Sequence, residues 1–250
     1  MLPKLVPRAG KLKRAQGIVE VLKNLPVDII VFQEAFLPGA RKIIAQGIGG
    51  LFPYSYGPAN NSPHIKSSSG VWVLSRQPLQ ILKTIRFNHN SGMDRLVRKG
   101  ALLLGGSHAG KPFQLLAVHA QSSDDAQAVR RLQFQQLAGE LLKPFAQTGI
   151  PQIICADLNV PVRHISEYGE MLELLEALDG PVTGPLQFTY DGVQNTIARS
   201  LGYKDRQTTY DYVLLKNNGG AVKINRQTKA FRYNNHDLSD HYGVMAEVEL

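Results

Sequence analysis

The sequence has one cysteine and lacks several patterns that would identify a class of function at once. Cys155 has no second cysteine to pair with, so an internal disulfide and a cysteine-based zinc site are excluded. No apolar run is long enough to cross a bilayer. The GxxxxGK[ST] loop of ATPases and the HExxH pattern of zinc proteases are also absent. Any catalytic or binding site must therefore be formed by polar residues that are dispersed along the sequence.

Length and charge set broad limits. The 250 residues show no linker, repeat or low-complexity tract, and we expect one domain over residues 1–250. Lysine and arginine outnumber acidic residues by 28 to 20, giving a net charge of +8. Such a surface suits a polyanion or an anionic membrane, and equally a charge that only maintains solubility.

Hydrophobic periodicity predicts helices mixed with strands along the whole chain. Amphipathic spacing predicts helices over residues 12–25, 126–147 and 168–178. Short apolar runs predict strands over residues 27–32, 70–74, 101–104, 113–118, 152–156, 209–215 and 242–250, and residues 60–69 have the composition of a loop.

Residues that bind metals or move protons lie where these strands end. They are Glu34, His119, Asp157 and Asn159 after three strands, and Asp240 and His241 before the last. Each alone is more often a solvated strand end, a turn residue or a structural histidine. Together they suit phosphate chemistry with a hard cation such as Mg²⁺, which prefers oxygen ligands.

Four motifs carry a family resemblance. Residues 32–34 are similar to a metal-binding "QE", 156–159 to "GDxN", 210–213 to "LDYI" and 239–241 to "SDH", in the expected order. The chain thereby resembles the endonuclease/exonuclease/phosphatase superfamily. Residues 98–100, 118–122, 166–172, 189–191 and 195–198 further resemble segments of its bacterial neutral sphingomyelinase branch.

The resemblance implies an α/β (α+β) fold, in which two mixed β-sheets pack as a sandwich flanked by helices. It also implies roles for the strand-end residues. Glu34 would bind Mg²⁺, with Mn²⁺ or Co²⁺ as alternatives, and Asp240 would help to bind or orient the metal and the water. His241 would be the general base, and Asp211 would hold and polarise it.

The remaining roles concern the phosphate. Asp157 and Asn159 would position the nucleophile and the phosphate oxygens, since alternate positions of an extended segment can face one cleft. His119 would stabilise the charge that develops on the phosphate or leaving group. Lys99 and Asn159 are the expected contacts of the substrate phosphate.

The implied reaction is hydrolysis of sphingomyelin to ceramide and phosphocholine by a monomer acting at a membrane surface. The resemblance implies a secreted or periplasmic protein, although we expect no signal peptide in this chain. Two alternatives stay open. The protein could be a nuclease or another phosphoesterase of the same superfamily, which its basic charge suits, or an inactive, truncated chain.

The sequence departs from the family pattern in three places. The first strand of the family, with an asparagine metal ligand, would lie upstream of Met1, so we expect the chain to lack that strand. The segment 216–237 corresponds to a membrane-docking hairpin but contains only Phe231 and Tyr233 as aromatic residues, which predicts weaker docking. A cysteine pair found in some members is missing.

Overall fold

A computed structural model of the chain describes residues 8–61, 68–216, 218–219 and 222–250. The α-helices α1 to α5 are Arg8–Leu22, Pro38–Ile48, Gln127–Leu137, Ile165–Leu175 and Thr196–Ser200. A 3-10 turn spans Gly92–Leu96, and a π-helical turn spans Ala138–Leu142. The strands β1 to β16 are Ile29–Phe32, Tyr54–Tyr56, Trp72–Ser75, Gln80–Arg86, Gly100–His108, Lys111–His119, Gln152–Asp157, Leu178–Asp179, Val182–Thr183, Tyr190–Asp191, Gln207–Thr208, Asp211–Lys216, Lys223–Lys229, Arg232–Tyr233, His236–Asp237 and Gly243–Glu249.

The strands build a sandwich. One layer is a six-stranded sheet with the order β4-β5-β6-β7-β12-β8, in which β6 and β7 are parallel and the other neighbours antiparallel. The facing layer is divided, within the described residues, between a sheet β1-β3-β2 and a sheet β16-β13-β9. Apolar side chains of both layers, such as Val73, Leu115 and Ile224, fill the space between them.

Helices cover both outer faces. Helices α3 and α4 pack on the six-stranded sheet, where Phe134 and Met171 join the same cluster as Leu116. Helices α1 and α2 pack on the sheet of β1 and β3, where Val19 of α1 and Trp72 of β3 belong to one apolar cluster. The central strands are therefore buried on both faces, which explains their continuous apolar runs. The predicted fold class is confirmed. Among the described residues no helix is both long and apolar enough to span a membrane.

Three predicted helix boundaries are wrong, and each error has a local cause. Helix α1 ends at Leu22 rather than at residue 25, shortly before Pro26. The helix predicted over 126–147 ends as a regular α-helix at Leu137 and as a π-helical turn at Leu142, ahead of Pro144, which has no N–H to donate to the preceding turn. Helix α4 ends at Leu175, because Glu176 adopts a left-handed conformation.

Two long strands were not predicted. Strand β4 lies at the edge of the six-stranded sheet and is mostly exposed, so it lacks an apolar run. Strand β13 turns Arg226 inwards, where its guanidinium lies 2.6 Å from Asp179. A buried ion pair thus replaces the apolar residue that would have indicated a strand. The expectations on the chain start at Met1 and on residues 62–67 lie outside the described residues.

Candidate active site

Three neighbouring strands present polar side chains at one edge of the six-stranded sheet. In the register of the sheet, Asp157 pairs with His119 on one side and with Asp211 on the other. Strands β6 and β7 are parallel and end together, whereas β12 is antiparallel and begins at the same edge. The strand pairing therefore places His119, Asp157 and Asp211 in one row.

The facing layer brings the other predicted residues to the same place. Glu34 lies two residues after β1, and Asp240 and His241 lie just before β16. His119 Nε2 is 3.9 Å from Glu34 Oε1 and 3.7 Å from Asp157 Oδ2. The ends of strands from both layers thus form one cleft.

The backbone around Glu34 is held in an uncommon conformation. Glu34 has φ 55°, and the carbonyl of Gly70 accepts a hydrogen bond from Ala35 N–H at 2.9 Å. Gly70 itself has φ 74°, and a Cβ there would lie 2.7 Å from the ring of Phe36 and 2.9 Å from Glu34 Cα. The close approach of these two segments requires glycine at this position.

His241 and Asp211 form a hydrogen-bonded dyad, with Nδ1 2.7 Å from Oδ2. Because the carboxylate accepts from Nδ1–H, the other ring nitrogen, Nε2, is left to accept a proton. Burial alone would lower the pKa of His241. The charge and hydrogen bond of Asp211, together with the charges of Asp157 and Asp240, raise that pKa well above its ordinary value. These neighbours thus stabilise the protonated imidazole, which is the form that exists after the ring has accepted a proton.

Burial shifts the pKa values of His119 and Asp157 away from those of exposed residues, and each shift favours the neutral form. His119 is buried, and burial, followed by the charges of Lys99 and His241, holds its pKa well below its ordinary value. Burial and then the charge of Asp211 raise the pKa of Asp157 to about 7. A neutral imidazole therefore lies beside a carboxyl group that exchanges its proton near neutral pH.

The excess of carboxylates fits a hard cation. The Glu34 side chain is 67% exposed in the open cleft, yet the surrounding protein removes part of its hydration. That desolvation, followed by the charge of Asp240, raises the pKa of Glu34. A bound cation would relieve the repulsion between these oxygens.

A second group of donors lies close by. Ligand atoms of Asp157, Asp211 and His241 all lie within 4.8 Å of one another. Since Asp211 already binds the Nδ1 proton of His241, a cation there would displace that proton. This geometry favours a proton-transfer role for the group and leaves Glu34 and Asp240 as the metal-binding candidates.

Two predicted residues occupy unexpected positions. The extended geometry predicted for 157–159 is wrong: Asn159 has φ 54°, and its N–H donates to Asp157 Oδ1 at 3.0 Å, a turn that asparagine tolerates. Lys99 is 1% exposed, and its ammonium lies 2.9 Å from Asp94 and donates to Ala120 O at 2.7 Å. From this buried position, the charge of Lys99 acts on His119 and Asp157 in the cleft. A direct contact of Lys99 with phosphate stays a prediction.

Sequence reasoning assigned no role to several residues that surround the dyad. Thr189, Tyr190 and Asn195 belong to segments noted only for their similarity to family motifs. In the structure Thr189 bonds to the backbone of Asp211, and the ring of Tyr190 meets that of His241 edge-on at 5.0 Å. The family motifs could have indicated that these residues matter, but only the tertiary contacts show what each side chain touches.

Comparisons with known proteins identify the family of the chain. A sequence model of the Endonuclease/Exonuclease/phosphatase family matches residues 6–241. Sphingomyelinase C 2 of Leptospira interrogans is 27% identical over 280 residues, which cover 99% of this chain and 44% of that protein. The chain therefore spans less than half the length of this relative.

Solved structures show the same architecture. Sphingomyelinase C from Streptomyces griseocarneus superposes with a TM-score of 0.83 at 26% identity, covering 95% of this chain and 91% of that one. A beta toxin variant from Staphylococcus aureus with bound magnesium ions superposes with a TM-score of 0.82 at 22% identity, covering 95% and 92% of the two chains.

Proposed function

Because the chain belongs to the endonuclease/exonuclease/phosphatase family, we propose that it is a metal-dependent phosphodiesterase that hydrolyses a phospholipid headgroup bond, with sphingomyelin as the first candidate substrate. The predicted family is confirmed. The observation that carries the proposal is the His241–Asp211 hydrogen bond at the strand ends where Glu34, His119 and Asp157 meet. Similarity to sphingomyelinases over 99% of the chain supports the lipid substrate.

His241 is the proposed general base. Its Nε2 takes a proton from water, whose oxygen attacks phosphorus as the bond from phosphorus to the ceramide oxygen breaks. Asp211 keeps Nδ1 protonated through the 2.7 Å hydrogen bond and stabilises the imidazolium that forms. The products are phosphocholine and ceramide, the latter after its oxygen gains a proton.

His119 and Asp157 are proposed to act on the phosphate and leaving-group side. A neutral His119 can donate a hydrogen bond from its ring N–H to the negative charge that develops on the phosphate or leaving group. Asp157 can hold a proton near neutral pH, because burial and Asp211 raise its pKa to about 7. Asn159 is proposed to orient phosphate oxygens, and the buried ammonium of Lys99 to make the cleft more favourable for an anion.

Glu34 and Asp240 are the proposed ligands of Mg²⁺, with Mn²⁺ or Co²⁺ as alternatives. When bound, the metal would neutralise negative charge on the substrate phosphate. The oxygen-rich donor set and the raised pKa of Glu34 support a hard divalent cation.

Membrane contact through the segment 216–237 is not favoured, because its aromatic residues do not form an exposed pair. The ring of Phe231 packs against Gly243, where an added Cβ atom would lie 2.3 Å from the ring. Tyr233, in contrast, is 42% exposed. We propose that Met93 and Leu96, 60% and 58% exposed in the 3-10 turn beside the cleft, contact the bilayer instead.

This turn is suited to that role by its position. It joins β4 to β5 at the sheet edge where β6 ends in His119, since Ala101 pairs with Val118. Arg95 in the same turn adds a positive charge next to the apolar pair. A single domain, a monomeric state and a secreted or periplasmic location complete the proposal.

A hydrolysis panel tests the function. The protein and the His241→Ala variant are incubated with sphingomyelin, phosphatidylcholine, and single- and double-stranded DNA, each with Mg²⁺ and with EDTA. We expect phosphocholine release from sphingomyelin that needs both Mg²⁺ and His241. DNA cleavage that outpaces lipid hydrolysis would favour the nuclease alternative, and equal rates in EDTA would contradict metal dependence.

A further inference from the structure

The two members of the dyad are carried by strands that do not share a sheet. Asp211 begins β12 of the six-stranded sheet, and His241 precedes β16 of a three-stranded sheet in the other layer. Among the described residues, no ladder of strand hydrogen bonds therefore sets the separation of Asp211 and His241. Their 2.7 Å contact needs another device that links the two layers.

Thr189 makes that link. Its Oγ1 accepts hydrogen bonds from the backbone N–H groups of Tyr210 at 3.0 Å and Asp211 at 3.2 Å. Its carbonyl accepts from Tyr242 N–H at 2.6 Å, directly after His241. One residue, 1% exposed, is thus bonded to the backbone beside both members of the dyad.

Asn195 makes a second link, to the segment that precedes His241. Its Oδ1 caps helix α5 by accepting from the N–H groups of Ile197 and Ala198, both at 3.0 Å. Its side-chain amide donates to the carbonyl of Ser239 at 2.9 Å, two residues before His241. Asn195 is fully buried, so these bonds are shielded from water.

We infer that Thr189 and Asn195 are positioning residues that set the geometry of the Asp211–His241 dyad. This inference rests on the proposed function. The backbone of residue 190 also bridges to that of His241, which fastens the segment between the two anchors. Because a misplacement of about 1 Å at a reacting group can cost about a hundredfold in rate, loss of either anchor should lower turnover without removing a group that touches substrate.

The first test compares matched threonine variants. Thr189→Val keeps the shape but removes the acceptor for Asp211 N–H, whereas Thr189→Ser keeps the acceptor. Thr208→Val is the control, since Thr208 is equally buried and its hydroxyl has no hydrogen-bond partner within the described structure. We expect Thr189→Val to lower kcat about tenfold to a hundredfold with little change in KM, Thr189→Ser to restore it, and Thr208→Val to leave it unchanged.

The second test does not depend on activity. Proton NMR of protein with ¹⁵N-labelled histidine reports the downfield Nδ1–H signal of His241, which should shift or vanish in Thr189→Val and return in Thr189→Ser. Asn195→Asp, which keeps the helix cap but loses the donor to Ser239, should move the same signal, and it decides the matter if Thr189→Val does not fold.

The outcomes separate the two proposals. An unchanged His241 signal in folded Thr189→Val and Asn195→Asp, or equal losses of kcat in Thr189→Val and Thr208→Val, would overturn the positioning role. Wild-type protein that hydrolyses no phospholipid would overturn the proposed function, while the NMR comparison would still decide how the dyad is held.

Discussion

Replacing Asp211 with asparagine removes one negative charge from the dyad while keeping nearly the same shape. The carboxylate lies 2.7 Å from His241 Nδ1, and the two side chains are only 17% and 27% exposed, so water replaces little of the lost interaction. An asparagine amide can also turn its NH₂ towards the ring. That would place the imidazole proton on Nε2, the nitrogen that must accept a proton from water.

The size of the effect follows from this hydrogen bond. Losing a bond to a charged group costs about 1.5–3 kcal/mol, and a tenfold change in rate corresponds to about 1.4 kcal/mol. If the bond acts in the transition state, kcat should fall about tenfold to about 150-fold. The unfavourable tautomer would add to that loss, so this range is a lower bound.

The assay measures phosphocholine release at saturating Mg²⁺ together with thermal unfolding. Asp179→Asn is the control, because Asp179 is 16% exposed, lies 2.6 Å from Arg226, and pairs with Leu214 of β12 rather than with either member of the dyad. It should lose stability and keep its kcat. In the double variant with His241→Ala, Asp211→Asn should cause no further loss, since the two residues act as one unit. Wild-type kcat for Asp211→Asn would refute the dyad mechanism.

Three further predictions follow from the metal site, the backbone and the membrane surface. Glu34→Gln should raise the Mg²⁺ concentration needed for half-maximal activity and recover part of its activity at high Mg²⁺; an unchanged metal titration would remove Glu34 from the metal site. Gly70→Ala should lower the free energy of unfolding by at least about 1–2 kcal/mol, the cost of a left-handed conformation for a residue with a Cβ, and denaturant titration showing wild-type stability would contradict the close approach described. Met93→Asp with Leu96→Asp should weaken co-sedimentation with sphingomyelin vesicles while hydrolysis of detergent-dispersed substrate persists. Leu178→Asp, at a residue 64% exposed on the six-stranded sheet, is the matched control, and equal loss of vesicle binding in both proteins would count against a specific docking turn.

Much of the fold could be predicted from the sequence because buried strands and amphipathic helices leave regular apolar patterns. The runs that became β6, β7 and β12 were identified, since their burial on both faces leaves little room for polar residues. Strand β13 was missed because its buried Arg226 is neutralised by a partner distant in sequence. A pattern confined to neighbouring residues carries no information on such a pair.

The candidate site divides in the same way. The sequence by itself determined the chemistry available, because carboxylates and histidines lie together at the ends of apolar runs and match family motifs in order. Tertiary structure decided which of them act together. Strand register placed His119, Asp157 and Asp211 in one row, and packing of the two layers brought His241 to Asp211. Folding also placed Lys99 beside Asp94, and it bonded Thr189 to the backbone of Asp211 and of Tyr242. These outcomes depend on distances between segments that are remote in sequence, and only the folded chain sets those distances.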